Sequence, residues 1–199
     1  MFLLIEWGKN RIGGGENGKD DYIVRHCSAE GQEPHADLTA EGIMQAEKLA
    51  AFFEGIDVDR IITSPFVRAR MTAEPIAESK GFYYEEDSRL AERKLCSRNL
   101  DDWLVKLEET FLDVNLKFEG GESTQEAMER ARKVVDELPA DSKVVLVTHG
   151  NLMALLLKSF DGRIGFQEWQ ALTNPDVYRV QVRGAETLVE RVWKHDVLI

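Results

Sequence analysis

The stretch whose reading decides the fold is Lys143–Phe160, KVVLVTHGNLMALLLKSF. Val144–Val147 is an unbroken apolar run, the pattern of a strand buried on both faces. After His149-Gly150 the chain continues as a strongly apolar helical segment. A buried strand running straight into a helix is the repeating unit of α/β architecture with a largely parallel sheet. Tyr22–Gln32, YIVRHCSAEGQ, repeats the motif: apolar residues lead into Arg25-His26 and then a polar, Gly-containing turn.

Between these two strands the pattern keeps alternating. Leu38–Gly55, LTAEGIMQAEKLAAFFEG, predicts a helix capped by Thr39, with Ile43, Ala46, Leu49, Ala50 and Phe53 on its buried stripe. Asp59–Ser64, DRIITS, is the next strand. In Ser64–Gly81, SPFVRARMTAEPIAESKG, Ser64 is the expected cap and Pro65 the first helical residue, while Pro75 should kink or shorten the helix. Phe82–Glu86 is a short strand and Leu100–Asp113 a further helix. Ser123 and Glu126 have capping-box spacing ahead of a stripe of Ala127, Ala131, Val134, Val135 and Leu138. Tyr178–Gly184 and Thr187–Trp193 alternate with period two and read as a hairpin at the sheet edge.

The 199 residues fit one domain. Residues 1–21, apolar at MFLLIEW and then Gly-rich, read as a tail or linker before a domain spanning 22–199. MFLLIEW is interrupted by Glu6 and is far shorter than the roughly 20 residues of a membrane span. A net charge of −11 argues against nucleic acid and against anionic membranes as partners. Two cysteines, Cys27 and Cys96, make no disulfide framework, so a reducing cytoplasm is the expected setting.

Two strands therefore deliver a histidine, His26 and His149, to the carboxyl edge of a sheet, where ligands bind in open α/β folds. A lone His beside Gly is most often a turn residue, but two such placements among four histidines, one flanked by Arg25, suggest a site. A metal held by His26, His149 and a carboxylate or His35 is one reading; the fixed charge of Arg25 beside it argues against a cation. An anion suits the pair better: a guanidinium forks onto a phosphoryl group, and the neighbouring imidazole can attack phosphorus.

In order along the chain, VRHC, DLTAEGIMQA, SPFVRARMTA, LAER, GGES and VTHG resemble the motifs of the histidine phosphatase superfamily, which shares its fold with cofactor-dependent phosphoglycerate mutase. The resemblance implies a three-layer α/β/α sandwich with a mostly parallel central sheet. It implies that His26 is a nucleophile that becomes phosphorylated, that Arg25, Arg68 and His149 hold the phosphoryl oxygens, and that Glu92 is the proton donor. Gln32 matches a phosphate-contacting amide, and Gly150 and Asn151 follow His149 at the substrate side. Asp101 and Asp102 are the substitutes should Glu92 not serve, and Arg70, about 200° around the helix from Arg68, is expected at the surface. Cys27 stands where the family usually has Gly, which matters if that turn needs positive φ. Oxidative control through Cys27 and Cys96 is a further idea raised by their nearness in sequence to the site.

Mutases of this kind carry an insertion after the acidic Glu with basic contacts for a doubly anionic substrate. Here the corresponding stretch, Arg93–Asp113, is short and acidic, with Arg93, Lys94 and Arg98 as its early cations. The expectation is a metal-independent phosphatase, without cofactor, for a small phosphomonoester. A mutase and a non-catalytic phosphate binder are the alternatives; oligomeric state is left open.

Overall fold

The structure, a computed structural model, describes residues 18–194. In chain order its first half contains β1 (Gly18–Arg25), α1 (Ala40–Phe53), β2 (Arg60–Thr63), α2 (Val67–Lys80), β3 (Glu85–Glu86), a 3-10 turn at Ser88–Leu90 and α3 (Trp103–Leu112). The second half contains α4 (Thr124–Asp136), β4 (Val144–Thr148), α5 (Gly150–Lys158), α6 (Phe166–Gln170), β5 (Asp176–Arg183) and β6 (Glu186–Arg191).

β4 is buried along its whole length, as its apolar run requires, and it lies inside a six-stranded sheet of order β3-β2-β4-β1-β5-β6. β3, β2, β4 and β1 are parallel; β5 and β6 form the antiparallel edge hairpin. One face packs on α1 and α2 through Leu49, Phe53, Ala69 and Ile76, the other on α3, α4 and α5 through Phe111, Ala131, Leu152 and Leu155. The result is the expected three-layer α/β/α sandwich. The fully buried Leu49, Phe53, Ile76, Leu152 and Leu155 each contribute roughly 1.5–3 kcal/mol by leaving water.

Local signals account for the starts of α1 and α4. Thr39 accepts from the Gly42 N–H at 2.9 Å, and Ser123 with Glu126 makes the reciprocal capping box ahead of α4. The predicted stripe of α4 is buried throughout.

Three expectations are corrected. Ile43 is 47% exposed, and α1 turns Gly42, not Ile43, against the Ser28 carbonyl, where any Cβ would clash. α2 begins at Val67 after a Phe66 N-cap, so Ser64 and Pro65 lie outside it, and the helix runs through Pro75 to Lys80 without ending there. Gly18–Asp21, assigned above to the tail, pair with Val180–Arg183 of β5, so the strand begins four residues before Tyr22; residues 1–17 lie outside the described residues. No helix among the described residues is long and apolar enough to cross a membrane.

Candidate active site

β1 and β4 are adjacent and parallel, with Arg25 opposite Thr148, so the residue that follows each strand emerges beside the other. His26 N–H donates to the Thr148 carbonyl at 2.9 Å, and the His26 and His149 rings meet edge to face with centroids 5.1 Å apart. Both are buried, His26 at 5% exposure and His149 at 0%.

Two neighbours set the tautomer of His26. Its Nδ1 lies 2.7 Å from the carbonyl of Cys27, which can only accept, so Nδ1 carries the proton. Its Nε2 accepts from Arg68 Nε at 3.1 Å and is therefore the lone-pair nitrogen. Burial, reinforced by the charges of Arg68 and Arg25 and opposed by the Cys27 carbonyl, pushes the His26 pKa down to about 3. At neutral pH the ring is uncharged, with Nε2 unprotonated.

His149 is held through Nε2, 2.7 Å from the Ser64 hydroxyl. That hydroxyl oxygen also accepts from the Phe66 N–H at 3.2 Å, and when it gives its own hydrogen to Nε2 the ring proton sits on Nδ1. Burial first, then the neighbouring His26 and Arg68, hold the His149 pKa well below its ordinary value.

Arg68 sits in the first turn of α2, 1% exposed, its Nη1 held by the carbonyls of Gln32 and Glu33 at 3.1 and 2.9 Å. Arg25 Nη1 donates to the Leu172 and Thr173 carbonyls at 3.1 and 3.5 Å. Burial lowers both arginines from their ordinary value, with Glu92 the largest opposing influence, and neither approaches deprotonation. Glu92 lies across the start of α5: Oε1 accepts from the Leu152 and Arg93 N–H groups at 2.9 and 2.8 Å, and Oε2 from the Asn151 N–H at 3.1 Å. A carboxylate is favoured at such a helix N-terminus. Oε2, with one donor to the other oxygen's two, keeps the freer lone pair.

Three buried polar atoms here have no partner: Arg25 Nε, His149 Nδ1 and Asn151 Nδ2. All three side chains adjoin Gly150, whose missing Cβ leaves room for the Arg25 guanidinium. Unpaired buried donors cost about 1–3 kcal/mol each, so such groups on the residues adjoining Gly150, with Arg68 and a lone-pair imidazole in the same site, suit this cradle to a compact, acceptor-rich anion.

The structure thus brings together Arg25, His26, Arg68, Glu92, His149, Gly150 and Asn151. Gln32 contributes its main-chain carbonyl to Arg68, while its side chain is exposed and lines a neighbouring cleft of about 410 Å³ shared with Leu95, Cys96, Arg98, Asn99 and Trp103. Asp101 and Asp102 are exposed at the start of α3, outside the cradle. Arg70 pairs with Glu86 at 3.4 Å, turned away from the site. Cys27 has no positive φ and is fully buried, with its thiol pushed up to about 12 by burial, so neither strain nor reactivity attaches to it. Among the described residues, no three His, Cys, Asp or Glu side chains cluster so as to hold a metal ion.

Ser64, Arg93 and Asn174 are the site residues that sequence reasoning missed. Ser64 reads locally as a helix cap. Arg93 follows Glu92 but turns inward, donating to the Glu122 carbonyl at 2.9 Å and to Thr110 at 3.0 Å; burial pushes its pKa down to about 10. Asn174 donates to the His26 carbonyl at 2.7 Å and carries no local signal.

The model of the histidine phosphatase superfamily (branch 1) matches residues 22–194. The "Probable phosphoglycerate mutase GpmB" of an Escherichia coli strain is 32% identical over 167 residues, covering 74% of this chain and 76% of its own. Among solved structures, "Mycobacterial hydrolase 1" superposes with a TM-score of 0.73 at 24% identity over 89% of this chain and 99% of its own. A mycobacterial glucosyl-3-phosphoglycerate phosphatase gives 0.71 at 22% over 88% and 97%. Sequence motifs, sheet order and family match agree: the chain belongs to the histidine phosphatase superfamily, branch 1.

Proposed function

We propose that this enzyme hydrolyses small phosphomonoesters through a phosphohistidine at Nε2 of His26. The single observation that carries the reading is the fixed tautomer of His26: Nδ1–H is tied to the Cys27 carbonyl, and Nε2 is an unprotonated nitrogen in contact with Arg68. In the first step Nε2 attacks phosphorus, the bond to the leaving oxygen breaks, and Glu92, which enters the cycle protonated on Oε2 and is reprotonated by water in the second step, gives that oxygen its proton. In the second, water attacks the phosphohistidine, Glu92 takes the water's proton, and phosphate leaves with Nε2 restored. Arg25, Arg68, His149 Nδ1–H and the Asn151 amide stabilise charge on the phosphoryl oxygens. The steps need no metal and no cofactor.

The cleft beside Gln32 suits the leaving group, and its lining supports hydrolysis over a bisphosphate-primed mutase. Arg93 is committed to Glu122 and Thr110, which leaves Arg98 as the cation lining that cleft. A second anionic group held tightly enough to be passed back would call for more. The setting proposed is a reducing one, in which Cys27 and Cys96 remain thiols.

The test is turnover of an aryl phosphate and a panel of small phosphomonoesters by wild type and His26→Ala, with chelator present, and alkaline trapping of the phosphoenzyme by mass spectrometry. Chelator-resistant turnover with a phosphoryl group on His26, and a loss of at least about 10⁴-fold in the variant, is expected. Turnover that survives in His26→Ala overturns the phosphohistidine route. Phosphoryl exchange between 3-phosphoglycerate and its bisphosphate without net hydrolysis overturns the phosphatase reading in favour of the mutase named for the Escherichia coli relative.

A further inference from the structure

We propose that Arg191, on the exposed hairpin strand β6, is a positioning residue that keeps Arg25 available to the phosphoryl group by occupying the buried carboxylate of Asp176, which stands opposite Arg25 in the β1–β5 ladder. This rests on the phosphatase reading of the cradle.

β5 opens at Asp176, directly opposite Arg25 in the antiparallel register with β1, so the two side chains share one face of the sheet. Asp176 is completely buried, and with Glu92 it is one of two carboxylates whose charge acts on the Arg25 guanidinium. A buried carboxylate beside a guanidinium ordinarily takes it in a bidentate pair. Here that partner is supplied from elsewhere: Arg191 Nε donates to Asp176 Oδ1 at 2.9 Å and Nη2 to Oδ2 at 2.7 Å. The Val177 and Thr173 N–H groups, each at 3.0 Å, add one donor to each oxygen. Asp176 is thereby saturated, while Arg25 meets only neutral carbonyls and retains an unpartnered Nε.

The same arginine steadies the loop that carries those carbonyls. Arg191 Nη2 also donates to Thr173 Oγ1 at 3.2 Å, next to Asn174, whose amide holds the His26 carbonyl. Arg191 therefore acts on both Arg25 and His26 without touching substrate.

The experiment compares wild type with Arg191→Gln, Arg191→Lys and the double variant Asp176→Asn/Arg191→Gln. Readouts are calorimetric binding of inorganic phosphate and of orthovanadate, kcat and KM for an aryl phosphate, and thermal melting to define the folded fraction. Arg191→Gln should weaken phosphate binding about 10-fold and lower kcat/KM about 10²-fold, because the freed Asp176 captures Arg25. Removing the carboxylate as well should return phosphate affinity to within about threefold of wild type. Arg191→Lys, a point charge without the fork, should fall between. A lower melting temperature with wild-type phosphate affinity in the folded fraction of any Arg191 variant, or no recovery in the double variant, overturns the proposal. If Arg191→Gln does not fold, the Lys and double variants decide it by the same criteria. Wild type that binds phosphate yet hydrolyses no ester removes the phosphatase reading while leaving the Arg191 effect on binding to stand; wild type that neither binds nor hydrolyses overturns both.

Discussion

The backbone of Gly150 is packed against the guanidinium of Arg25: a Cβ at position 150 would stand 3.0 Å from both Cζ and Nε and 3.1 Å from Nη2. Gly150 is the first residue of α5 and has no positive φ, so alanine there suits the helix backbone, and its nearest contacts would be with the arginine. Gly150→Ala should leave the melting temperature within a few degrees of wild type and lower kcat/KM by about 10–100-fold, since displacing Arg25 from the role proposed for it at the phosphoryl group costs on that order. Steady-state kinetics beside thermal melting checks this; an active variant would mean that Arg25 can shift without consequence.

The two buried histidines make stability pH-dependent in a defined direction. An unfolded chain protonates His26 below its ordinary 6.5, whereas the native protein resists until about 3. The unfolded state therefore binds more protons across that window, and stability falls as pH drops from 6.5 towards 3. His26 alone should cost about 2 kcal/mol between pH 6.5 and about pH 5, and His149 acts in the same direction. Urea unfolding of wild type and His26→Gln at several pH values should show a smaller acid loss in the variant. Over the same range kcat/KM, corrected for folded fraction and substrate ionisation, should show no ionisation of His26, the proposed nucleophile, near 6.5.

Asp21 has the opposite sign. It is 2% exposed, accepts from the Val144 N–H at 3.3 Å, and is pushed up from its ordinary 3.8 to about 6, chiefly by burial. Between those values the native state holds a proton that the unfolded state has released, so stability declines as pH rises through the window and the deficit persists above it. Asp21→Asn keeps the acceptor for Val144 and removes the charge. It should stabilise the protein by about 1–3 kcal/mol at pH 7.5, with the gain gone below about pH 4. Denaturant titrations at the two pH values decide it, and a variant no more stable at pH 7.5 refutes the account.

What was legible in the sequence was what neighbours along the chain determine. β4 declared itself by an apolar run that only a doubly covered strand tolerates, and Thr39 and Ser123 declared themselves as caps because the N–H groups they serve lie three residues away. Ser64 was misread for the same reason. Local logic offers it the Phe66 N–H, while its second partner, His149, lies 85 residues further on. Ile43 was placed inside because helical period gives the spacing of a stripe without its edge, and the close approach of Gly42 to Ser28 sets that edge. Gly18–Asp21 look like linker until β5 arrives to pair with them. Arg25, His26, Arg68, Glu92 and His149 were found through motifs; Arg93, Asn174, Asp176 and Arg191 have contacts far apart in sequence that no motif announced.

The distance between His26 and His149 is inherited from the pairing of β1 with β4, and Arg25 takes its setting from the pairing of β1 with β5. A slip of one residue in either ladder would turn these side chains to the opposite face. No hairpin, helix pair or half-sheet of this chain contains the cradle in miniature. The cradle is complete only when both ladders have formed in register, so under the proposed function a partly folded molecule would carry none of the activity.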